Sequence, residues 1–480
     1  MDSSSWIRLG TLSGKIRAST SYWPSLRRIR ACTPPAASRA VTREPPTRLG
    51  PEKISVGCQA VLFREALHEV YIPRIQRGDD FFASNVLGAR GALLSALAHF
   101  FEKGRWGSLV EIGVQGRGLT VEDQLFILMQ AALYLTALRG HASMDARSCY
   151  ERAESLCHSL NRPRLLYVAL IGQWRYSLMT DKLTATMEIA KRVYSLAQEQ
   201  NDSALMMGAH RALAGTLFYL GNFESAREYA LSAVQIWRSE GVQSIAEDLD
   251  AAAVVCLGYA ALCNWHLGES ASCQATIAEA ISLAKELNDM HTLAGALHFA
   301  AYLAHYDHNA GDVERLASNL IELSTRENFA LWLAAGAMLR GWARSALGDP
   351  AEGISWIERA IGDFQATSSE VEPFLLALKA EAFHLADRTS EALDAINEAE
   401  AVAQRTEERN WSAELHRLRG VFLAAVSADV IQIEASFCAA ISTAKQQKSV
   451  SLEKRAEATY AEYRRQKASA LGAHGFPLPL

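Results

Sequence analysis

Aromatic and histidine side chains recur through the middle of the chain, and they are the residues best suited to contact a ligand. Their rings can stack on a ligand while their polar tips form hydrogen bonds, as in small-molecule and peptide grooves. The same side chains can instead fill space between long helices. The sequence leaves both interpretations open. The candidates are Arg211, Phe218, Tyr219, Leu262, Trp265, His266, His298, Tyr302, His305, Tyr306, Met338, Trp342, Ser345, Glu381 and His384.

Two of the histidines raise the question of a metal site. His305 and His308 are three residues apart, a spacing that places both on one face of a helix and suits metal ligation. However, the residues from Tyr306 to Asn309 have the composition of a helix end, and no third ligand is apparent. We therefore expect no bound metal.

Motifs for catalysis and nucleotide binding are missing from the sequence. Gly14-Lys15 is followed by Ile16 and lacks the upstream glycine of a phosphate-binding loop. Gly113, Gly116 and Gly118 do not have the spacing of a dinucleotide-binding turn. Neither G-x-S-x-G nor H-E-x-x-H occurs. We therefore expect a protein that is not an enzyme and that carries no cofactor.

The candidates must be positioned by helices, and four helical hairpins share one pattern of small residues. The intervals between these residues are 7, 5 and 7 in each hairpin. Small side chains at such places let two antiparallel helices approach closely, as in tetratricopeptide (TPR) hairpins. The four sets are Ala214, Gly221, Ala226 and Ala233; Ala261, Gly268, Cys273 and Ala280; Gly341, Gly348, Gly353 and Ala360; and Ala380, Asp387, Ala392 and Ala399.

Further helices flank these hairpins, and the pattern as a whole predicts an all-α solenoid. Successive turn residues (Gly221, Gly268, His308, Gly348 and Asp387) are 47, 40, 40 and 39 residues apart. A TPR repeat has about 34 residues, so the helices or the loops between hairpins must be longer. The additional helices are predicted over 122–138, 145–160, 164–179 and 184–198, with a degenerate hairpin over 291–323 and a last one over 411–446.

Proline placement sets the boundaries of this array. Six of the 12 prolines lie in the first 51 residues, and only Pro163, Pro350 and Pro373 lie between Pro73 and Pro477. Proline inside a helix costs about 3 kcal/mol, so this scarcity favours continuous helical structure. We predict a disordered basic Pro/Ser-rich lead over 1–52, an irregular helical segment over 53–120, the repeat array over 121–466 and a flexible tail over 467–480.

The charge and composition of the chain do not point to a nucleic-acid or membrane partner. The formal net charge is only -5, which demands neither nucleic acid nor an anionic membrane surface. No uninterrupted apolar run reaches the length of a membrane span. The eight cysteines form no C-x-x-C pair, which favours buried, reduced thiols in a cytoplasmic protein.

The first 50 residues form a basic lead with three interpretations. They contain nine Lys or Arg residues against Asp2 and Glu44. The lead is either disordered or a misassigned start, or it is a transit peptide, which its composition resembles. It could also bind nucleic acid through phosphate contacts, although basic disordered starts are common. The arginines available for such contacts are Arg17, Arg27, Arg28, Arg30, Arg39 and Arg43.

From about residue 121 to 465 the chain resembles the C-terminal TPR-like region of large bacterial ATPase-coupled regulators. In that family the array follows an ATPase module, which in turn often follows a class III adenylate/guanylate cyclase domain or a DNA-binding domain. Neither module is present in this chain. The segments that carry the resemblance are 209–223, 256–262, 331–334 with 339–343, and 413–420.

The resemblance implies a sensor, and the TPR pattern implies where that sensor binds. In TPR hairpins the positions occupied by the candidate residues line a concave groove. We therefore predict a non-catalytic module of a signalling or transcription regulator that binds a protein partner, such as a separately encoded ATPase or cyclase, or a small effector. The alternative is a catalytically inert remnant of a cyclase–ATPase protein.

Overall fold

The structure, a computed structural model, describes residues 121–241, 251–366 and 372–470. The chain divides into two compact units, Met1–Gln124 and Leu125–Leu480, and the description below concerns the second together with residues 121–124. All 17 elements in the described residues are α-helices. They are α1 Val121–Arg139, α2 Met144–Leu160, α3 Pro163–Thr180, α4 Leu183–Gln200, α5 Ser203–Tyr219, α6 Phe223–Glu240, α7 Ala252–His266, α8 Ser270–Glu286, α9 Met290–Tyr306, α10 Ala310–Glu327, α11 Ala330–Ala346, α12 Pro350–Ala366, α13 Pro373–Leu385, α14 Thr389–Thr406, α15 Ser412–Ala425, α16 Val430–Gln446 and α17 Val450–Ala470.

The predicted solenoid of helical hairpins is confirmed. Each predicted turn residue lies in the left-handed region of backbone conformation, with φ of 75° at Gly221, 83° at Gly268 and 101° at Gly348. His308 and Asp387 adopt the same conformation with φ of 53° and 58°. At each turn the next amide bonds back to a carbonyl of the first helix, as from Asn222 N to Leu217 O at 2.9 Å. This bond closes the helix end and sends the chain back antiparallel.

Small residues bring the paired helices together, and α11 with α12 is the closest case. A Cβ on Gly341 would lie 2.7 Å from the carbonyl oxygen of Gly353. A Cβ on Gly353 would overlap both the carbonyl oxygen of Gly341 and the hydroxyl of Ser345. Only glycine fits here, since the obstruction is backbone. The α11–α12 contact, centred on these two glycines, thus depends on residues predicted from spacing alone.

The first helix of each hairpin is buried over most of its surface, whereas the second is buried mainly on one face. In α7, 14 of the 15 residues are buried, and in α10 only 6 of 18 are. The helices α5, α7, α9, α11 and α13 contact one another in sequence and form an inner layer. The second helices pack outside them. The last residues of α7 and α9 are buried, whereas Leu347 after α11 and Leu385 at the end of α13 are exposed.

The structure also resolves how the repeats exceed the TPR length. Two or three residues separate consecutive helices from α7 to α12, so the additional residues lengthen the helices. The 47-residue interval contains residues 242–250, which lie outside the described residues. The last helix, α17, continues to Ala470, beyond the predicted array end at 466. The predicted segments 1–52 and 53–120 also lie outside the described residues.

Cysteine burial agrees with the predicted reduced thiols where the structure describes them. Cys149, Cys157, Cys256, Cys263 and Cys273 are buried and free, and Cys438 is exposed and free. Burial raises the pKa of Cys149 and Cys256 to about 12, which keeps both thiols protonated and unreactive. Within the described ranges, no helix combines the length and apolarity that crossing a membrane requires.

Candidate functional site

The candidate residues lie on the inner helices, as the repeat pattern predicts, but they do not line an open groove. Twelve of the fifteen candidates carry the prediction of a binding site, namely Arg211, Phe218, Tyr219, Trp265, His266, His298, Tyr302, His305, Tyr306, Trp342, Glu381 and His384. All twelve are buried except Tyr219 and His384, which are partly buried. Later parts of the same chain cover several of them, among them Tyr219, Trp265, His266 and Tyr306. Two stretches do this: the loop between α14 and α15, residues 407–411, and the turn before α17 with the start of that helix, residues 447–455. We call them together the closing segment.

Trp411 of the closing segment fills an aromatic socket formed by inner helices. Its ring stacks on Tyr306, with centroids 4.6 Å apart and planes at 17°. Phe374 approaches edge-on at 5.2 Å, and Trp265 and His266 lie 6.4 and 6.3 Å away. The Trp411 side chain is 1% exposed. The socket therefore draws its residues from α7, α9 and α13.

The closing segment bonds to the C-terminal carbonyl groups of three consecutive inner helices. The amides of Arg409 and Asn410 donate to the carbonyl oxygen of Tyr219, the last residue of α5, at 2.7 and 3.2 Å. Ser451 Oγ donates to Trp265 O at 2.5 Å, and the Arg455 guanidinium donates to the carbonyl of Tyr306. Terminal carbonyls lack partners within their own helix. The segment thus satisfies the ends of α5, α7 and α9.

Side chains at the edge of the closing segment add further contacts to the helices. Glu407 Oε2 accepts a hydrogen bond from the amide of Thr184 at 2.9 Å, and Lys448 Nζ lies 2.5 Å from Glu224. Ser449 Oγ lies 2.9 Å from His266 Nδ1. Burial, together with the charge of Arg455, lowers the pKa of His266 well below its usual value. His266 is therefore neutral in this environment.

A buried charged triad holds the base of the closing segment. Arg417 and Glu414 of α15 are each 1% exposed and are 2.8 Å apart, and Arg455 of α17 lies 3.2 Å from Glu414. Burial opposes the charge on Glu414, but Arg417 and Arg455 overcome it and hold the pKa of this carboxyl well below its usual range. Glu414 is therefore ionised at neutral pH and ties α15 to α17.

A second polar group lies deeper on the inner helices. Glu381 of α13 accepts a hydrogen bond from Trp342 Nε1 at 2.9 Å, and its other oxygen lies 3.4 Å from His305 Nε2. Burial opposes the charge on Glu381, but His305, His308 and Trp342 together lower the pKa of this carboxyl. The three helices α9, α11 and α13 meet at this carboxylate.

Glu372, at the start of α13, joins two of the predicted tyrosines. Tyr302 OH donates to Glu372 Oε2 at 3.0 Å, and Tyr219 OH lies 3.5 Å from Oε1. Burial raises the pKa of Glu372, while the two phenol hydrogen bonds oppose this shift. Burial and this carboxyl in turn raise the pKa of Tyr302 well above its usual value. These contacts link the ends of α5, α9 and α13.

Several buried polar atoms of the interior form no hydrogen bond to any described residue. They belong to the histidines, to Tyr306 OH and to Trp411 Nε1. A buried polar group without such a bond costs about 1–3 kcal/mol, so an interior with several of them is imperfectly satisfied. The atoms nearest Trp411 are His266 Nε2, both ring nitrogens of His305, Tyr306 OH and Trp411 Nε1.

Not all candidates converge on this interior. Arg211 lies over the ring of Trp174 at 5.6 Å, and His384 packs on Phe422 at 4.9 Å. His298 packs between Tyr302, with centroids 4.2 Å apart, and Trp332, with centroids 5.2 Å apart. The remaining nine form a continuous set, namely Phe218, Tyr219, Trp265, His266, Tyr302, His305, Tyr306, Trp342 and Glu381.

The possible metal pair does not gain a third ligand in the structure. The rings of His305 and His308 lie 5.8 Å apart, and His308 occupies the left-handed turn position. Among the described residues, no group of three or more His, Cys, Asp or Glu side chains could hold a metal ion.

Sequence reasoning missed the residues that close the interior. Trp411, Glu372, Glu414 and Arg455 belong to no repeated position of the inner helices, and nothing in the repeat spacing singles them out. Trp411 offered one signal, since it is the first residue of the last predicted hairpin and directly follows the polar stretch 404–410. A large aromatic beside such a polar stretch needs a buried site elsewhere in the fold.

Comparison with known proteins finds a distant relative in sequence. No model of a known protein family matches the chain. An uncharacterized protein of Rhizobium meliloti (strain 1021) is 21% identical over 322 residues, which is 66% of this chain. The chain spans only 31% of the length of that relative.

Several solved structures are similar to the described fold. A Rap protein complexed with competence and sporulation factor has a TM-score of 0.49 at 11% identity, covering 72% of this chain and 99% of the Rap chain. NprR in complex with its cognate peptide NprX has a TM-score of 0.46 at 11% identity, with coverages of 73% and 99%. A STAND protein with a TPR sensor from Pyrococcus horikoshii has a TM-score of 0.38 at 10% identity, with coverages of 76% and 54%. These similarities do not establish a ligand for this chain.

Proposed function

We propose that the chain is a non-catalytic TPR-like module that binds a peptide, a protein partner or a small effector at the inner ends of its first helices. One observation carries this proposal. The ends of α5, α7 and α9 already hold a stretch of polypeptide outside the helices, residues 407–411, through backbone hydrogen bonds and aromatic stacking. A surface that binds one such stretch has the chemistry to bind another.

The repeat architecture explains how binding would become a signal. Each hairpin contacts mainly its neighbours, so small rotations between hairpins add along the array. A ligand that binds one curvature more tightly shifts the equilibrium toward it. In this proposal the module senses an effector in the cytoplasm and passes a change in curvature to a regulator.

The regulator proposed is an ATPase or a cyclase encoded separately. Support comes from the resemblance of residues 121–465 to the sensor region of ATPase-coupled regulators. The relative from Rhizobium meliloti is about three times as long as the matched part, which leaves room in that protein for further domains. No nucleic acid or membrane is part of the proposal.

Selection from a displayed library of random peptides, followed by calorimetry, tests the site. Trp265 lies on the inner helix α7 and Trp356 on the outer helix α12, so the two matched Trp→Phe variants separate the faces. We expect Trp265→Phe to weaken a selected peptide by about fivefold or more, which is about 1 kcal/mol. Trp356→Phe should change its affinity by less than about twofold. Equal affinities for both variants and the parent chain would contradict an interior site.

A further inference from the structure

The closing segment is seated on the interior as a bound peptide would be. Residues 407–411 lie outside the helices, two of their amides bond to Tyr219 O, and Gln447 Nε2 bonds to Arg409 O at 2.5 Å. One side chain, Trp411, anchors the stretch in an aromatic socket. Backbone bonds with one buried aromatic anchor are the usual features of peptide recognition.

The place on the inner helices where residues 407–411 lie, which we call the seat, contains polar groups without hydrogen bonds, so its occupant can be replaced. The rings of Trp411 and Tyr306 stack, and Trp411 Nε1 and Tyr306 OH are both buried without a hydrogen bond to any residue that the structure describes. His305 Nδ1 also lacks one, 6.2 Å from Trp411 between ring centroids, whereas His305 Nε2 faces Glu381 at 3.4 Å. A ligand that formed hydrogen bonds with these groups would gain binding energy that residues 407–411 do not provide.

The electrostatics of the seat indicate which ligand would fit. The C-terminal ends of α5, α7 and α9 converge on it, and a helix C-terminus carries partial negative charge. At the end of α9 this charge is met by a cation, since Arg455 bonds to Tyr306 O, and at the start of α6 Lys448 pairs with Glu224. The seat therefore favours a basic ligand with backbone donors and an aromatic ring.

We propose that residues 407–411 occupy the effector site of their own array, and that the effector is an extended peptide with an aromatic anchor beside a basic residue, which displaces them. This inference rests on the function proposed above. The tethered segment is present at an effective concentration on the order of millimolar. It therefore sets a threshold that an effector must exceed, and it keeps the interior closed when the effector is absent.

The test uses the full chain and a fluorescein-labelled synthetic peptide with the sequence of residues 405–414, followed by anisotropy. Trp411→Ala should empty the socket and bind this peptide at least about tenfold more tightly than the parent chain. Trp356→Ala, an equal truncation on an outer helix, should behave as the parent. Replacing the tryptophan of the peptide by alanine should weaken binding to the Trp411→Ala chain at least about tenfold, and replacing both its arginines by glutamate should also weaken it.

A helical Trp411→Ala chain that binds the peptide no more tightly than the parent would overturn the inference. Hydrogen exchange of the parent chain gives a second test that needs no variant. Amides of residues 407–411 should exchange at least about tenfold faster than amides at the centre of α11 and α12. Equal protection would make the segment ordinary core and also overturn the inference. The function proposed above would survive either result if a library-selected peptide still depended on Trp265.

Discussion

Two contacts within one array are built in opposite ways. The α11–α12 contact has backbone against backbone at Gly341 and Gly353, without a charged group in the obstruction. The contact between the closing segment and the inner helices is polar, with ion pairs, backbone hydrogen bonds and buried atoms that make none. The glycine contact allows only one packing of the two helices and therefore holds α11 firmly against α12. The second can be exchanged for another set of polar partners, which suits a surface that changes occupant.

The largest effect should come from breaking the buried triad beneath the closing segment. Arg417→Ala leaves Glu414 buried with only Arg455 nearby, and we expect a loss of about 3–5 kcal/mol in the free energy of unfolding. The matched control is Arg388→Ala, which breaks a pair of the same i,i+3 spacing whose members are 43% and 47% exposed. Urea unfolding followed by circular dichroism should show little change for the control. Equal effects of both variants would refute the difference between buried and exposed pairs.

The next effect should come from the α11–α12 contact. Gly353→Ala places a Cβ against the carbonyl of Gly341, and we expect a loss of about 1–3 kcal/mol through helix separation. Gly362→Ala lies on the same helix, where nothing is within 4 Å of the added Cβ. That control should gain about 0.5–1 kcal/mol, because alanine favours helix over glycine. Hydrogen exchange of α11 and α12 measures both, and a tolerated Gly353→Ala would show that the contact is loose.

Acid should weaken the closing segment in a predictable direction. The pKa of Glu414 in the folded chain is held below its value in the unfolded chain. As pH falls below about 4.5, the unfolded chain binds a proton that the folded chain does not, so stability falls with pH. We expect a loss of at least about 1 kcal/mol between pH 5 and pH 3 from this group. Urea titrations across this range should show a flatter profile for Glu414→Gln, and identical slopes would contradict this assignment.

The smallest effect should come from a hairpin turn. Asp387 is exposed and holds a left-handed conformation with φ of 58°, which glycine adopts without steric cost. We expect Asp387→Gly to stabilise the α13–α14 hairpin by about 0.5 kcal/mol. Hydrogen exchange of amides in the closing segment should stay unchanged, because the turn at Asp387 lies outside this segment. A loss of stability would mean that the aspartate side chain contributes more than its backbone strain costs.

The hairpins could be predicted from the sequence because their code is local. Gly341 and Gly353 meet across a turn of a few residues, so a fixed spacing is enough to reveal them. The closing contacts are different, since Thr184 meets Glu407 across 223 residues and His266 meets Ser449 across 183. No repeat period encodes such distances. Pattern alone therefore placed Trp265 and Tyr306 on the inner helices, but it did not show that Trp411 covers them.

The long separation between these partners has a consequence for synthesis. The inner helices α5, α7 and α9 contact their neighbours in sequence, so this part of the array can pack before residues 407–455 are synthesised. The carbonyls of Tyr219 and Tyr306 then remain in water until their respective partners, Arg409 and Arg455, have emerged. A nascent chain therefore presents a bare inner wall that the finished protein conceals, and a molecule present during translation meets that wall first.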